Sequence, residues 1–143
     1  MEYRNLGRTG LKVSALCLGT GFFETMTSEE TARQVMQGAL DAGINFFDTA
    51  DSYAGGASER FIGRFLKDTG QRDRVIISTK VYYPVGEGVN DRGLSRYHIM
   101  RACEASLRRL QTDHIDIYEA HDVSTQKRYD LLLGPGRAIE ALQ

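Results

Sequence analysis

Two kinds of apolar pattern alternate along this chain. Ala15-Leu16-Cys17-Leu18, Ile44-Asn45-Phe46-Phe47, Val75-Ile76-Ile77-Ser78-Thr79 and Ile115-Asp116-Ile117-Tyr118-Glu119-Ala120 are short runs rich in aliphatic, β-branched and aromatic residues. Runs of that length and content predict strands buried within a sheet. Between the first two, Ala32, Val35, Met36, Ala39 and Leu40 recur at i, i+3, i+4, i+7 and i+8, which is one face of a helix. Thr27-Ser28-Glu29-Glu30 precedes that face with Thr and Glu three apart, a capping box, and Gly43 follows it as a C-terminal cap. Further helices are predicted from about Ser58 to Leu66 and from about Ser95 to Leu110. Another begins at Ala138, after a loop containing Pro135. Ahead of the first strand, Tyr3 to Leu6 and Leu11 to Val13 flank the turn Gly7-Arg8-Thr9-Gly10 and predict a hairpin.

Strand and helix in strict alternation are the signature of parallel βαβ units. An open dinucleotide-binding sheet would carry Gly-x-Gly-x-x-Gly after its first strand. Here that strand ends Gly19-Thr20-Gly21-Phe22-Phe23-Glu24, without the third glycine. An eight-stranded α/β barrel typically takes ~250 residues, and four β/α units are half of one. The expected fold is therefore α/β: a single partial domain over 1–143, with a β-hairpin at 1–14 and β/α units 1–4 of a (β/α)8 TIM barrel at 15–143. A chain of this kind is expected to be a truncated barrel, inactive alone, with a tendency to self-associate through exposed half-barrel edges; a non-catalytic half-barrel remnant is the alternative.

Composition narrows the partners. Of the 143 residues 41% are hydrophobic and 26% charged, and the net charge is −1, so no global field favours nucleic acid or an anionic membrane. No apolar run approaches the ~20 residues that span a bilayer, and the first residues hold no apolar signal-peptide core, which predicts a cytoplasmic protein. Cys17 in a strand run and Cys103 in a helical pattern read as buried reduced thiols. Neither they nor His98, His114 and His121 have the spacing of a metal site. Arg108-Arg109 and Arg72-Asp73-Arg74 read as solvated faces, and Ser58 and Glu59 as residues serving the N-terminus of the next helix.

Candidate chemistry collects at strand ends. Asp48 ends the second main strand, with Tyr53 five residues into the following loop; Lys80 ends the third, and His121 the fourth. In a parallel barrel all strand C-termini open onto one face, and that face carries the chemistry. A carboxylate, a phenol, an ammonium and an imidazole brought together there can deliver a proton to a carbonyl oxygen. Lys80 would stabilise the phenolate form of Tyr53, Asp48 would hold Lys80 charged and in place, and His121 would orient the oxygen.

Gly43-Ile44-Asn45-Phe46-Phe47-Asp48-Thr49-Ala50-Asp51-Ser52-Tyr53, with Gly56-Ala57-Ser58-Glu59 after it, resembles the aldo-keto reductase signature. Leu18-Gly19-Thr20-Gly21, Ile77-Ser78-Thr79-Lys80 and Ser106-Leu107-Arg108-Arg109-Leu110-Gln111-Thr112-Asp113 extend the resemblance over nearly the whole chain. It implies a barrel that passes hydride from NADP in its reduced form, NADPH, to an aldehyde or ketone, with NAD as the alternative cofactor and a small carbonyl or sugar-like compound as substrate. The family's four catalytic positions match Asp48, Tyr53, Lys80 and His121, and the cofactor is expected near Gly19, Thr20, Gly21 and Asp48. In the family, the carboxamide of the nicotinamide and the adenosine phosphate are held by loops beyond the fourth unit. Ala54 stands where the family often has Gly, and Asp122 to Pro135 departs from the commoner pattern. Arg92-Gly93-Leu94-Ser95-Arg96-Tyr97-His98-Ile99 resembles potassium-channel β-subunits, which implies a regulatory or binding module as the alternative to an enzyme. Those subunits typically lack the histidine present here as His121.

Overall fold

The computed structural model describes residues 1–133. Tyr3–Asn5 (β1) and Lys12–Ser14 (β2) form the antiparallel hairpin, Tyr3 opposite Ser14. Four β/α units follow: Leu18–Gly19 (β3) with Glu29–Asp41 (α1), Phe46–Asp48 (β4) with Ala57–Thr69 (α2), Ile76–Val81 (β5) with Arg96–Leu110 (α3), and Ile117–Ala120 (β6) with Gln126–Leu133 (α4). The strands form one parallel sheet in the order β3-β4-β5-β6, so each unit lies beside its predecessor. This is the hairpin and half-barrel arrangement predicted from the sequence.

One face of the sheet packs on helices. Phe47 and Ile77 are fully buried there with Met36 of α1, Ile62 and Leu66 of α2, and Leu110 of α3. Tyr118 and Ala120 of β6 meet Val81, Leu94, Ile99 and Ala102 in a second cluster. Strand alternation sends Asp48, Ser78, Lys80 and Glu119 to the opposite face. Gly63 sets how closely α2 and α3 approach: a Cβ there would stand 2.5 Å from the Arg109 carbonyl oxygen.

The helix ends differ from expectation in detail. Ser28, not Thr27, caps α1, its Oγ accepting the Thr31 N–H at 3.2 Å. At the far end Gly43 takes φ +83, its N–H donates to the Leu40 carbonyl at 2.9 Å, and the Ile44 N–H donates to that of Ala39 at 2.8 Å. That pair of bonds is a Schellman motif, and the left-handed turn favours glycine. Val35, expected on the buried face, is exposed. Helix α4 occupies part of the segment read as loop, begun by Thr125, whose Oγ1 accepts the Arg128 N–H at 3.3 Å. The helix expected from Ala138 lies outside the described residues.

The thiols are also corrected. Cys17 is exposed, because alternation turns it to the face without helices, and Cys103 is half-buried on α3.

Candidate active site

Three of the four predicted residues stand on or directly after adjacent strands, and the fourth on the turn that follows β4. Lys80 on β5 and Asp48 on β4 form an ion pair, Nζ to Oδ1 2.6 Å, with side chains only 13% and 31% exposed. The Lys80 ammonium also donates to the Thr49 carbonyl at 2.7 Å. Its Nζ lies 5.2 Å from the centroid of the Tyr53 ring, within cation–π range. His121 follows β6, its backbone N–H donating to the Val81 carbonyl at 3.0 Å, and its ring meets Tyr53 edge-on with centroids 5.6 Å apart. The four side chains expected to converge do so.

Backbone bonds tie the Tyr53 loop to its neighbours. The Thr49 N–H donates to the Ser78 carbonyl and the Asp51 N–H to that of Lys80, so the chain beyond β4 runs along the end of β5 before turning. Tyr53 then opens a short 3-10 turn, Tyr53–Gly56, in which Ala54 has φ 48 and ψ 42. A left-handed alanine is strained by roughly 1–2 kcal/mol, so the Gly-to-Ala departure noticed in the sequence falls where a side chain is costly.

Gly19, Thr20 and Gly21 border the same site. Gly19 pairs in register with Asp48, and Gly21 lies against the Tyr53 ring, 3.7 Å from where its Cβ would be. The Thr20 hydroxyl is already engaged: it donates to the Asp48 carbonyl at 2.9 Å and lies 2.7 Å from Ser58 Oγ. Ser58 therefore ties α2 to the loops after β3 and β4 instead of capping its own helix, whose cap is Gly56.

His121 is held below the usual imidazole range, first by burial and then by the Lys80 ammonium; Asp48 and Glu119 pull the other way. It is therefore neutral near pH 7, and its buried Nδ1 has no hydrogen-bond partner among the described residues. Partial burial and the Asp48 carboxylate push the Cys17 thiol up to about 11, which removes it as a thiolate nucleophile.

Several residues around the site were missed or misread. Tyr83 closes one side, its ring 4.9 Å from that of His121 and its hydroxyl 3.3 Å from an Asp122 oxygen. Glu119 receives a short hydrogen bond from Ser78 Oγ. Glu59, fully buried, binds Thr79 Oγ1 at 2.6 Å and the Arg109 guanidinium at 2.5 Å. Arg109 is thus part of a buried pair, and Arg72 forms a half-buried pair with Asp116 at 2.7 Å, where solvated faces were expected. The only sequence signal for either pair was a charged residue set beside an apolar run.

Among the described residues no group of three or more His, Cys, Asp or Glu side chains is placed to hold a metal ion, and no helix is long and apolar enough to cross a membrane.

Comparison with known proteins places the geometry in context. The family model described as the Aldo/keto reductase family matches residues 15–143. The chain is 50% identical over 139 residues to the uncharacterized oxidoreductase YrpG of Bacillus subtilis (strain 168), covering 91% of this chain and 43% of the relative. It is 42% identical over 123 residues to a probable voltage-gated potassium channel subunit beta of Oryza sativa subsp. japonica, covering 85% and 37%. Among solved structures, the holo form of aldo-keto reductase AKR11C1 from Bacillus halodurans is similar with a TM-score of 0.82 at 38% identity, over 99% of this chain and 45% of the other. The chain spans less than half the length of each of these proteins.

Proposed function

The chain belongs to the aldo/keto reductase family, and on that premise we propose that Asp48, Tyr53, Lys80 and His121 form the catalytic set of an NADPH-dependent reductase of aldehydes and ketones. The observation that carries this reading is the Lys80–Asp48 pair at 2.6 Å beneath the Tyr53 ring, with His121 edge-on to the same ring.

The residues after β3 and β4 fit the nicotinamide end of the cofactor. A Cβ at Gly19 would meet nothing within 4 Å, so a flat ring can approach the sheet there, beside Asp48. Gly19, Gly21 and Asp48 would hold that end; Thr20 would shape the turn, its hydroxyl being used internally. When bound, NADPH supplies hydride to the carbonyl carbon, and NAD in its reduced form would supply the same.

Charge then develops on the carbonyl oxygen. Tyr53 gives its proton to that oxygen, and the Lys80 ammonium stabilises the phenolate left behind. Asp48 fixes Lys80 in place and offsets its charge. Neutral His121 donates an N–H that orients the oxygen before transfer. In the oxidative direction the same Tyr53–Lys80 pair accepts the alcohol's proton.

Replacing Tyr53 by Phe tests this. In a barrel completed with the C-terminal portion of the Bacillus subtilis relative, Tyr53→Phe should reduce carbonyl-dependent NADPH oxidation by about 10²–10⁴-fold. Enhancement of NADPH fluorescence on binding should persist. Turnover that survives in the Phe variant removes Tyr53 from the acid role.

A second reading, a regulatory subunit of a potassium channel, is favoured by the 42% identity to the rice protein. The presence of His121 beside Tyr53 favours the enzyme.

A further inference from the structure

Glu119 is out of place for a strand residue on the face that carries the tetrad, where nothing in the proposed chemistry uses it. The parallel register sets it directly beside Lys80, and both side chains leave the sheet on the same side. Its Oε1 accepts a hydrogen bond from Ser78 Oγ, and Ser78 itself is fully buried. Ser78 lies two residues before Lys80 on β5, so the bond draws the Glu119 carboxylate in toward the strand that carries the catalytic ammonium.

We propose that Glu119 is a further positioning residue of this site: anchored by Ser78, its carboxylate stands beside Lys80 and offsets the ammonium's charge at His121. This deepens, and rests on, the reading of the tetrad as a carbonyl-reducing site.

The charge arrangement gives the reason. Lys80 is the one cation paired within the tetrad, and it disfavours a proton on His121; Asp48 and Glu119 favour one. Asp48 is bonded to Lys80 and so spends much of its field there. Among the described residues Glu119 makes no ion pair within 4 Å, so its charge reaches His121, which directly follows β6 on the same side, and Cys17, which directly precedes β3. The other groups facing His121 are the Tyr53 and Tyr83 rings, with Asp122 held by Arg128. Removing Glu119 leaves Lys80 opposed at His121 by Asp48 alone. The imidazole then takes up its proton only at lower pH, so Glu119 helps set where His121 passes from neutral to charged.

Proton NMR titration of the ring signals decides this in the 143-residue chain, without cofactor or turnover. Only three histidines contribute, His98, His114 and His121. In Glu119→Gln the His121 midpoint should move to lower pH while the other two signals keep theirs. Ser78→Ala, which frees the carboxylate without removing it, should move His121 the same way by a smaller amount. Because Glu119 is exposed, the difference between wild type and Glu119→Gln should shrink in 1 M NaCl. A His121 midpoint unchanged or raised in Glu119→Gln overturns the proposal. So does a displacement of all three histidines together, which marks a structural change. In the completed barrel, the acid limb of the kcat profile should move with the His121 midpoint. A barrel without turnover would sink the reductase reading and leave the titration result standing.

Discussion

Asp51 shows how one side chain beneath the Tyr53 loop can make the fold depend on pH. It is 1% exposed, and neither carboxylate oxygen has a hydrogen-bond partner among the described residues. Burial and the neighbouring Glu59 carboxylate push its carboxyl up to about 7; the Arg109 guanidinium and the Ser52 N–H oppose this without a full hydrogen bond. The unfolded chain releases this proton near the ordinary value of 3.8, whereas the folded chain keeps it to about 7. Across that window the unfolded state binds fewer protons, so stability falls as pH rises and levels off above it. Asp51→Asn carries no such charge. Its Tm should exceed that of the wild type by a margin that widens from pH 4 to pH 7 and then stays constant, measured by circular dichroism. A margin that does not change with pH would show that Asp51 is solvated or paired. Nothing in the sequence distinguished Asp51 from a turn-forming aspartate. Its environment comes from α2, α3 and β5, which only the fold brings together. Asp48 and Lys80 were legible because each ends an apolar run, and strand ends in a parallel sheet share a face.

At the scale of elements, α2 and α3 are joined by a buried charge pair. Glu59 has no exposed surface and reaches Arg109 at 2.5 Å and Thr79 at 2.6 Å, so one carboxylate links α2 to α3 and β5. Breaking a buried pair from one side leaves an uncompensated charge, at a cost of about 3–5 kcal/mol. Arg109→Met should therefore lower the unfolding free energy in urea by about that amount, with Glu59→Gln/Arg109→Met less destabilised than Arg109→Met alone. A double variant as unstable as the single one would mean that Arg109 acts through packing of its stem against Gly56. Periodicity found α1, α2 and α3 because their buried faces recur every three or four residues. The same method misread Arg109, which falls on the charged side of α3 yet points at a buried carboxylate 50 positions earlier in the chain. It also missed α4, whose opening Gln126-Lys127-Arg128 offers no apolar face. Strand β3 was predicted over 15–18 but is confined to Leu18–Gly19, because β4 alone pairs with it among the described residues and does so only there.

For the whole molecule, the uncovered face and the edges of the sheet decide behaviour. Among the described residues β3 and β6 each have a strand partner on one side only. Unpaired strand edges are templates for pairing with another chain. Leu16, Phe22 and Met26 around β3, and Val123 after β6, are exposed apolar side chains at these two ends. Two copies related by a twofold axis would bring edge to edge and enclose the tetrad face between them. Such an assembly would contain two sets of Asp48, Tyr53, Lys80 and His121, yet each would offer only the residues after β3 and β4 to the cofactor. The 143-residue chain should therefore elute larger than a monomer in size-exclusion chromatography, at a position that depends on concentration. It should reduce carbonyls poorly and show little NADPH fluorescence enhancement. Grafting onto the C-terminal portion of a relative should abolish the self-association and restore cofactor binding together, since both follow from covering the same face. A stable monomer of the 143-residue chain that binds NADPH at micromolar affinity would show that residues already present in these four units suffice to grip the cofactor.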